Sequence, residues 1–445
     1  MVPFLQEMKT RLGDNDDFIV QRVFLLDSPV ILMGFKSMLD FVQTKSNLLE
    51  YIEQSFPEGK TIDEVIKQLS NSGTIGIEEA ISAITAGNLL IYDEKTKQRA
   101  IVNPVSRLLT RSIESPTTEN ILHGGISSFN EDIDTNIGMM RKQFNSSHLE
   151  TKLYSCGSMQ KSRLAVLYIK DQIDMKLVKQ VVSKIESNLD KELNHTQDVS
   201  KMMGFYSKEL IPKFNTTELP QEAVNALRKG RIVLFLDRLP FALVLPSLLW
   251  DMFIHDNDKN LPPPITVALR MLRLLGVLVT LIMPGLYVAL VSVNPEVLRI
   301  ELALSIAQSR EGVPYPAFIE IVLMLIVLEM TLEASVRLPA SIGPTVTMVG
   351  GIILGQAVVT AQLVSNLLII ILAVTTIANS TVVGVQNSLA IRFFKYVIVV
   401  LASIFGVFGI VSAVVFVCAY LAGVNTFGIS YLYIPRTEKV GGNHE

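Results

Sequence analysis

The chain has 445 residues, a formal net charge of −3 from 39 Lys and Arg against 42 Asp and Glu, and 49% hydrophobic residues. That length exceeds one ordinary domain, and a mean hydropathy of +0.40 points to a membrane protein and away from an average soluble one. The near balance of charge leaves no basic footprint for nucleic acid, and the two cysteines, Cys156 and Cys418, stand one in each half and suggest neither a disulfide framework nor a metal cluster.

Only fifteen charged side chains lie from residue 274 onward. The sequence therefore divides into a soluble half and a membrane half. The opening "MVPFLQEMKTRLGDNDD" has no apolar core of a cleavable signal, so the soluble half is expected in the cytoplasm. Residues 17 to about 110 alternate strand-like and helical stretches such as "SPVILMGF" (28–35) and "IDEVIKQLS" (62–70), and "NLLIYDEKTKQRAIVNP" (88–104) reads as a hairpin around a polar turn. Residues 1–110 are thus expected as a first small α/β subdomain. In 111–230, a second one, "KLYSCGSMQKSRLAVLYIKD" (152–171) reads as a strand pair, and Leu177, Val181, Ile185 and Leu189 fall on one helix face.

Phosphate-loop, dinucleotide, nucleophile-elbow and zincin signatures are all absent, and His123, His148, His195, His255 and His444 are scattered. No enzyme activity, cofactor or metal site is expected. Residues 231–270 are read as an interfacial linker, because "IVLFLDRLPFALVLPSLLW" (232–250) is apolar but broken by Asp237, Arg238, Pro240 and Pro246 and ends on Trp250, which fits a strand pair and an interfacial segment better than a span.

The membrane region, 271–425, is expected to hold four or five segments before a tail at 426–445. A span needs about 20 apolar residues, and "LLGVLVTLIMPGLYVALVSV" (274–293) supplies them, with Pro284-Gly285 as a kink and Arg270 and Arg273 marking a cytoplasmic end. Residues 338–391 contain no Asp, Glu, Lys or Arg and are read as two crossings, near 345–360 and 364–384. Arg392 and Lys395 are read as a cytoplasmic loop, and 396–423 as the last span. Gly351 with Gly355, Ala402 with Gly406, and Gly409 with Ala413 have the small-x-x-x-small spacing that lets helices approach in lipid; the same spacing also arises simply because Gly and Ala are frequent there.

One apolar stretch, "IEIVLMLIVLEMTLEASVRLP" (319–339), carries three carboxylates, Glu320, Glu329 and Glu333, and ends on Arg337. At about 100° per residue Glu329 and Glu333 fall roughly 40° apart, with Glu320 about half a turn from Glu329. Each would cost about 2 to 3 kcal/mol against lipid. Three explanations stay open: the glutamates line an aqueous cation path, Glu333 and Arg337 form an i,i+4 ion pair while Glu329 sits in a hydrated cavity, or the helix lies at the interface. The preceding "AQSREGVPYPAF" (307–318), with Arg310 and Glu311, is either a tight turn or a loop for gating or partner contact.

The stretches "SREGVPYPAFIE" (309–320), "VRLPASIGPTVTMVGGIILGQAVV" (336–359), "LVS" (363–365) and "SLAIRFFKY" (388–396), with Arg111, Glu114, Pro116, Glu119, Gly124, Phe129, Asn136 and Arg141 in the soluble half, resemble the A subunits of GerA-type spore germinant receptors. The likeness runs in order from about residue 85 to 430. It departs where the family often has Glu-Ala-Gly and this chain has Thr360-Ala361-Gln362, and where the family often has Arg-Gly-Pro and this chain has His123-Gly124-Gly125. The resemblance implies a multi-pass protein of the endospore inner membrane, with two cytoplasmic α/β subdomains ahead of its helices. It implies a transporter-like B subunit that binds the nutrient, a lipoprotein C subunit, and self-association into an ion path that opens on nutrient sensing. Other readings are a relative that amplifies the signal, a scaffold without conduction, and a secondary transporter.

Overall fold

The computed structural model describes residues 3–25, 28–55, 62–69, 75–105, 127–205, 209–255, 258, 260–338 and 342–434. They fall into two units, one within residues 1–209 and 213–247, the other comprising 210–212 and 248–436. Arg111, Glu114, Pro116, Glu119 and Gly124 lie outside the described residues.

The first unit holds two sheets. Helix α1 (Pro3–Leu12) precedes strands β1 (Phe18–Leu25) and β2 (Ser28–Phe35), helices α2 (Phe41–Ser55), α3 (Ile62–Leu69) and α4 (Ile77–Thr85), and strands β3 (Leu89–Asp93) and β4 (Arg99–Val102). The strands pair antiparallel in the order β1-β2-β3-β4, and the expected 88–104 hairpin is β3–β4. Strand β3, "LLIYD", is buried at every position because it lies inside the sheet under helices, which is why it reads as a continuous apolar run.

The second sheet follows α5 (Ile133–Gln143) and consists of β5 (Leu149–Cys156), β6 (Ser162–Ile169), β7 (Asn215–Thr217), β8 (Ile232–Leu236) and β9 (Ala242–Leu245), with α6 (Met175–Glu186), α7 (Thr196–Met202) and α8 (Pro220–Arg228) between them. Its antiparallel order is β5-β6-β8-β9-β7. Leu177, Val181 and Ile185 are buried on α6, and the Asp174 carboxylate starts that helix by accepting from the Lys176 amide at 2.9 Å. The segment expected as a linker at 231–270 is divided: all of β8 and β9 is buried within the sheet. Asp237 and Arg238 are the turn between the two strands, with Arg238 at φ 72, so the charges that interrupt the apolar run belong to a hairpin.

The second unit is helical. Helix α9 (Pro263–Val288) continues through a π-turn at Ala289–Val293, and α10 (Ile300–Ser309), α11 (Ala317–Arg337), α12 (Gly343–Thr360), α13 (Asn366–Asn379) and α14 (Val385–Gly423) follow, before a two-residue hairpin of β10 (Asn425–Thr426) and β11 (Ile429–Ser430). Residues Pro263–Val293 and Val385–Gly423 are long and apolar enough to cross a membrane, and 350–360 and 366–379 are shorter apolar helices.

Helix α14 is not one rod. At Gly406 the backbone takes φ 61, ψ −138, a conformation open essentially only to glycine, and the chain reverses. Residues 385–405 run alongside α9 in the same direction, with Gly285 against Ile398 and Ala402, and Asn294 against Gly406. Residues 407–423 return: the rings of Phe394 and Tyr420 lie 5.7 Å apart, and the Leu249 amide donates to the Tyr431 carbonyl at 2.9 Å. The expectation of a single last span at 396–423 is therefore corrected, because the reversal divides it. Helix α13 runs opposite to α9, since Tyr287 meets Ser365 at one end while Gly276 meets Ala378 at the other, and α11 starts at the first of these ends, where Tyr287 meets Glu320.

Candidate functional site

The three glutamates of α11 have different surroundings. The Glu320 side chain, one turn past the helix-starting Pro316, is fully buried (0% exposed) with the Arg310 Nε 3.6 Å away. Its carboxylate accepts from the Ser365 amide at 2.5 Å and from the Tyr287 hydroxyl at 3.2 Å. Ser365 is the N-cap of α13, its Oγ accepting from the Leu368 amide at 3.2 Å. Glu320 thus sits at the positive end of the α13 dipole, where a carboxylate is favoured. Arg310 also donates to the Tyr315 carbonyl at 3.0 Å, and Gly312, at φ 88, packs against the Gln362 amide. The 307–318 loop is therefore tied into the bundle through Arg310, while Glu311 is exposed.

Glu329 lies about two and a half turns further along α11. It accepts from Arg392 Nη1 at 2.7 Å, with Lys395 Nζ at 3.9 Å. Arg392 and Lys395 are inside α14, which corrects their reading as a cytoplasmic loop: the chain stays helical from Val385 and its cations turn toward a carboxylate of α11. Glu333 pairs with Arg337 at 2.7 Å on its own helix, both exposed. The i,i+4 pair considered from the sequence is present. Within one chain the glutamates do not meet at a common opening; each is paired with a different cation.

The small residues separate into two groups. A Cβ on Gly406 would come 1.9 Å from Asn294 Oδ1, and one on Gly409 would come 2.1 Å from the Leu401 carbonyl. The Val407 amide, freed by the reversal, donates to Asn294 Oδ1 at 3.1 Å. Among the described residues Gly351 and Gly355 meet nothing within 4 Å, so the face of α12 that carries them is open to those residues.

Of the described soluble-half positions, Phe129 is buried edge-on against Phe235 at 4.8 Å. Asn136 pins the turn before α5 by accepting from the Asn130 amide at 2.9 Å and donating to its carbonyl at 2.6 Å. Arg141 is buried and donates to Asp17 at 2.7 and 2.5 Å and to Asn15 at 2.9 Å, with its guanidinium 3.8 Å from the Phe35 ring. It joins the second sheet's helix to the first sheet. The sequence reading gave no role to Tyr287 and Asn294, which are uncharged and carry no motif, or to Ser365, which it quoted only within "LVS"; it quoted Lys395 without asking what a cation does in an apolar helix.

A profile of the Bacillus/Clostridium GerA spore germination proteins matches residues 6–439. The chain belongs to this family. Among GerA relatives, spore germination protein GerLA of Bacillus cereus is 30% identical over 437 residues, covering 96% of this chain and 88% of its own. Spore germination protein B1 of Bacillus subtilis (strain 168) is 33% identical over 334 residues, covering 75% of this chain and 68% of its own. A solved N-terminal domain, that of the A subunit of the Bacillus megaterium spore germinant receptor GerK3, aligns at 22% identity with a TM-score of 0.38, covering 55% of this chain and 94% of that one.

Proposed function

We propose that this GerA-family chain is the membrane subunit of a nutrient-germinant receptor, working in the endospore inner membrane as part of an oligomeric ion path that opens through a nutrient-binding partner. The observation that carries the reading is the family match along residues 6–439. The face of α12 on which Gly351 and Gly355 meet nothing among the described residues supports self-association, since glycine pairs at this spacing let helices approach closely in lipid. A transporter-like B subunit would bind the nutrient and a lipoprotein C subunit would complete the receptor, with the α/β unit in the cytoplasm. To take the assembly from mostly closed to mostly open, the partner must favour the open state by about 5.5 kcal/mol. No catalysis and no cofactor are assigned.

In this reading Glu329 and Glu333 reach the path when the assembly opens and exchange their present cations for water and the permeating ion. The test is nutrient-triggered ion flux from liposomes holding the receptor. Glu329→Gln with Glu333→Gln is expected to lower the flux while assembly, followed by size-exclusion chromatography, is kept; unchanged flux removes both carboxylates from the path. The pairing of all three α11 glutamates inside one chain favours a second reading, a scaffold or signal-amplifying relative that conducts nothing. Absence of flux in the wild-type assembly would select it.

A further inference from the structure

The cluster around Glu329 carries more positive charge than its own carboxylate neutralises. Arg392 and Lys395 stand at i and i+3 on α14 and so share a helix face. Arg392 takes Glu329 closely through Nη1, at 2.7 Å, and leaves Lys395 at 3.9 Å from the other carboxylate oxygen. The Lys395 side chain is only 9% exposed. Among the described residues its ammonium has no hydrogen-bond acceptor, and its other neighbour is the Tyr396 ring, 5.1 Å from Nζ. The Nε of Arg392 is likewise buried without an acceptor among the described residues. Two cations against one carboxylate leave one positive charge in excess, with a buried N–H donor of Arg392 left open.

The depth of the cluster sharpens the point. Ile391 packs with Val277, and Ile398 against Gly285, so Lys395 lies beside the stretch of α9 between them. At about 1.5 Å per residue that is roughly 6 to 18 Å past Arg273, inside the apolar part of the helix. There an ammonium that shares one carboxylate with a second cation and has no hydrogen-bond acceptor among the described residues is costly and marks a site whose further partner should be sought. Glu329 and Arg392 are 32% and 17% exposed, so the cluster is reachable from outside the bundle.

We propose that Arg392 and Lys395 form a binding site for a small monovalent anion, a halide or a short carboxylate, seated against the Lys395 ammonium and the Arg392 Nε on the side away from Glu329. Such an anion brings the cluster to neutrality and supplies the missing acceptor, and it binds whether or not the chain conducts.

The test is thermal unfolding of the purified full-length protein in detergent micelles as sodium chloride, or in a second arm sodium acetate, replaces sodium gluconate at constant ionic strength. The wild type is expected to show a saturable rise of about 2 to 4 °C, with chloride or acetate identified as the better ligand by the lower half-saturating concentration. Lys395→Met should abolish the rise, and Lys395→Arg, which keeps the charge, should retain it. A rise of equal size in Lys395→Met, or none in the wild type, overturns the site. Should Lys395→Met fail to fold, quadrupolar line broadening of chloride by the wild-type protein decides: broadening that acetate competes away supports the site, and its absence overturns it.

Discussion

Arg141 replaces the water around the Asp17 carboxylate with two charged hydrogen bonds and a third bond to Asn15, at a place where both charged side chains are almost wholly buried. Removing one partner leaves the other as an uncompensated buried charge, so Arg141→Ala is expected to destabilise the α/β unit by about 3 to 5 kcal/mol, read as a lowered denaturant midpoint of the purified protein. Asp258 makes a comparable pair with Arg273, at 2.5 and 2.8 Å. Burial pushes the Asp258 carboxyl up, but the Arg273 guanidinium and the His255 amide outweigh it and hold it below the ordinary aspartate value. Its folded-state affinity for a proton is therefore lower than that of the unfolded chain. The stability it contributes is complete above about pH 4 and is lost as the pH falls through the lower folded value. The gap in unfolding midpoint between wild type and Asp258→Asn should accordingly narrow below about pH 4 in a pH series of melting curves. Arg141 was legible from the family likeness as a position of interest, but its partners, far away in sequence, were not. Periodicity reports which face a residue occupies and says nothing of which distant loop meets it.

Helices and strands were more legible than the way they join. The β3–β4 hairpin and the apolar face of α6 follow from alternation and from helical spacing, both local properties. Strands β8 and β9 were visible as a strand pair but not as members of the second sheet, since Asp237 and Arg238 in the turn between them resemble an interruption. The reversal within α14 was hidden for a related reason: Gly406 lies in an unbroken apolar run, and a glycine there also suits close helix packing. Its conformation makes a sharp prediction. Gly406→Ala places a Cβ against Asn294 Oδ1 in a backbone region side chains avoid, and should open the hairpin. In a background without native cysteines, Phe394→Cys and Tyr420→Cys are expected to be bridged by a short bifunctional thiol reagent, and the bridge to be lost on adding Gly406→Ala. A bridge that persists would mean that packing along the arms holds the reversal without help from the glycine. For the α11 glutamates, the sequence made them conspicuous and left their partners open; the structure divides them among Arg310, Arg392 and Arg337.

The soluble and helical halves were separable from charge distribution alone, and the family likeness already anticipated the order of the parts. What the sequence left open was whether there are four or five crossings, and with that the side on which the chain emerges; the torsion pair at Gly406 adds a reversal that neither number included. With α9 starting near Pro263 and Leu249 bonded to Tyr431, both ends of the helical unit lie together, opposite the turn at Asn294 and Gly406. Single cysteines at Pro262→Cys and Tyr433→Cys should therefore react with an impermeant maleimide from one face of sealed vesicles, and Glu296→Cys from the other. Reaction of Tyr433→Cys from the face of Glu296→Cys would contradict the reversal. The reversal also bears on how the protein is made. A chain that ended at 405 would lack both the Val407 amide that Asn294 holds and the returning arm whose Tyr420 packs on Phe394. A stop codon just beyond Gly406 should therefore lower the amount of folded protein far more than one placed after Tyr431.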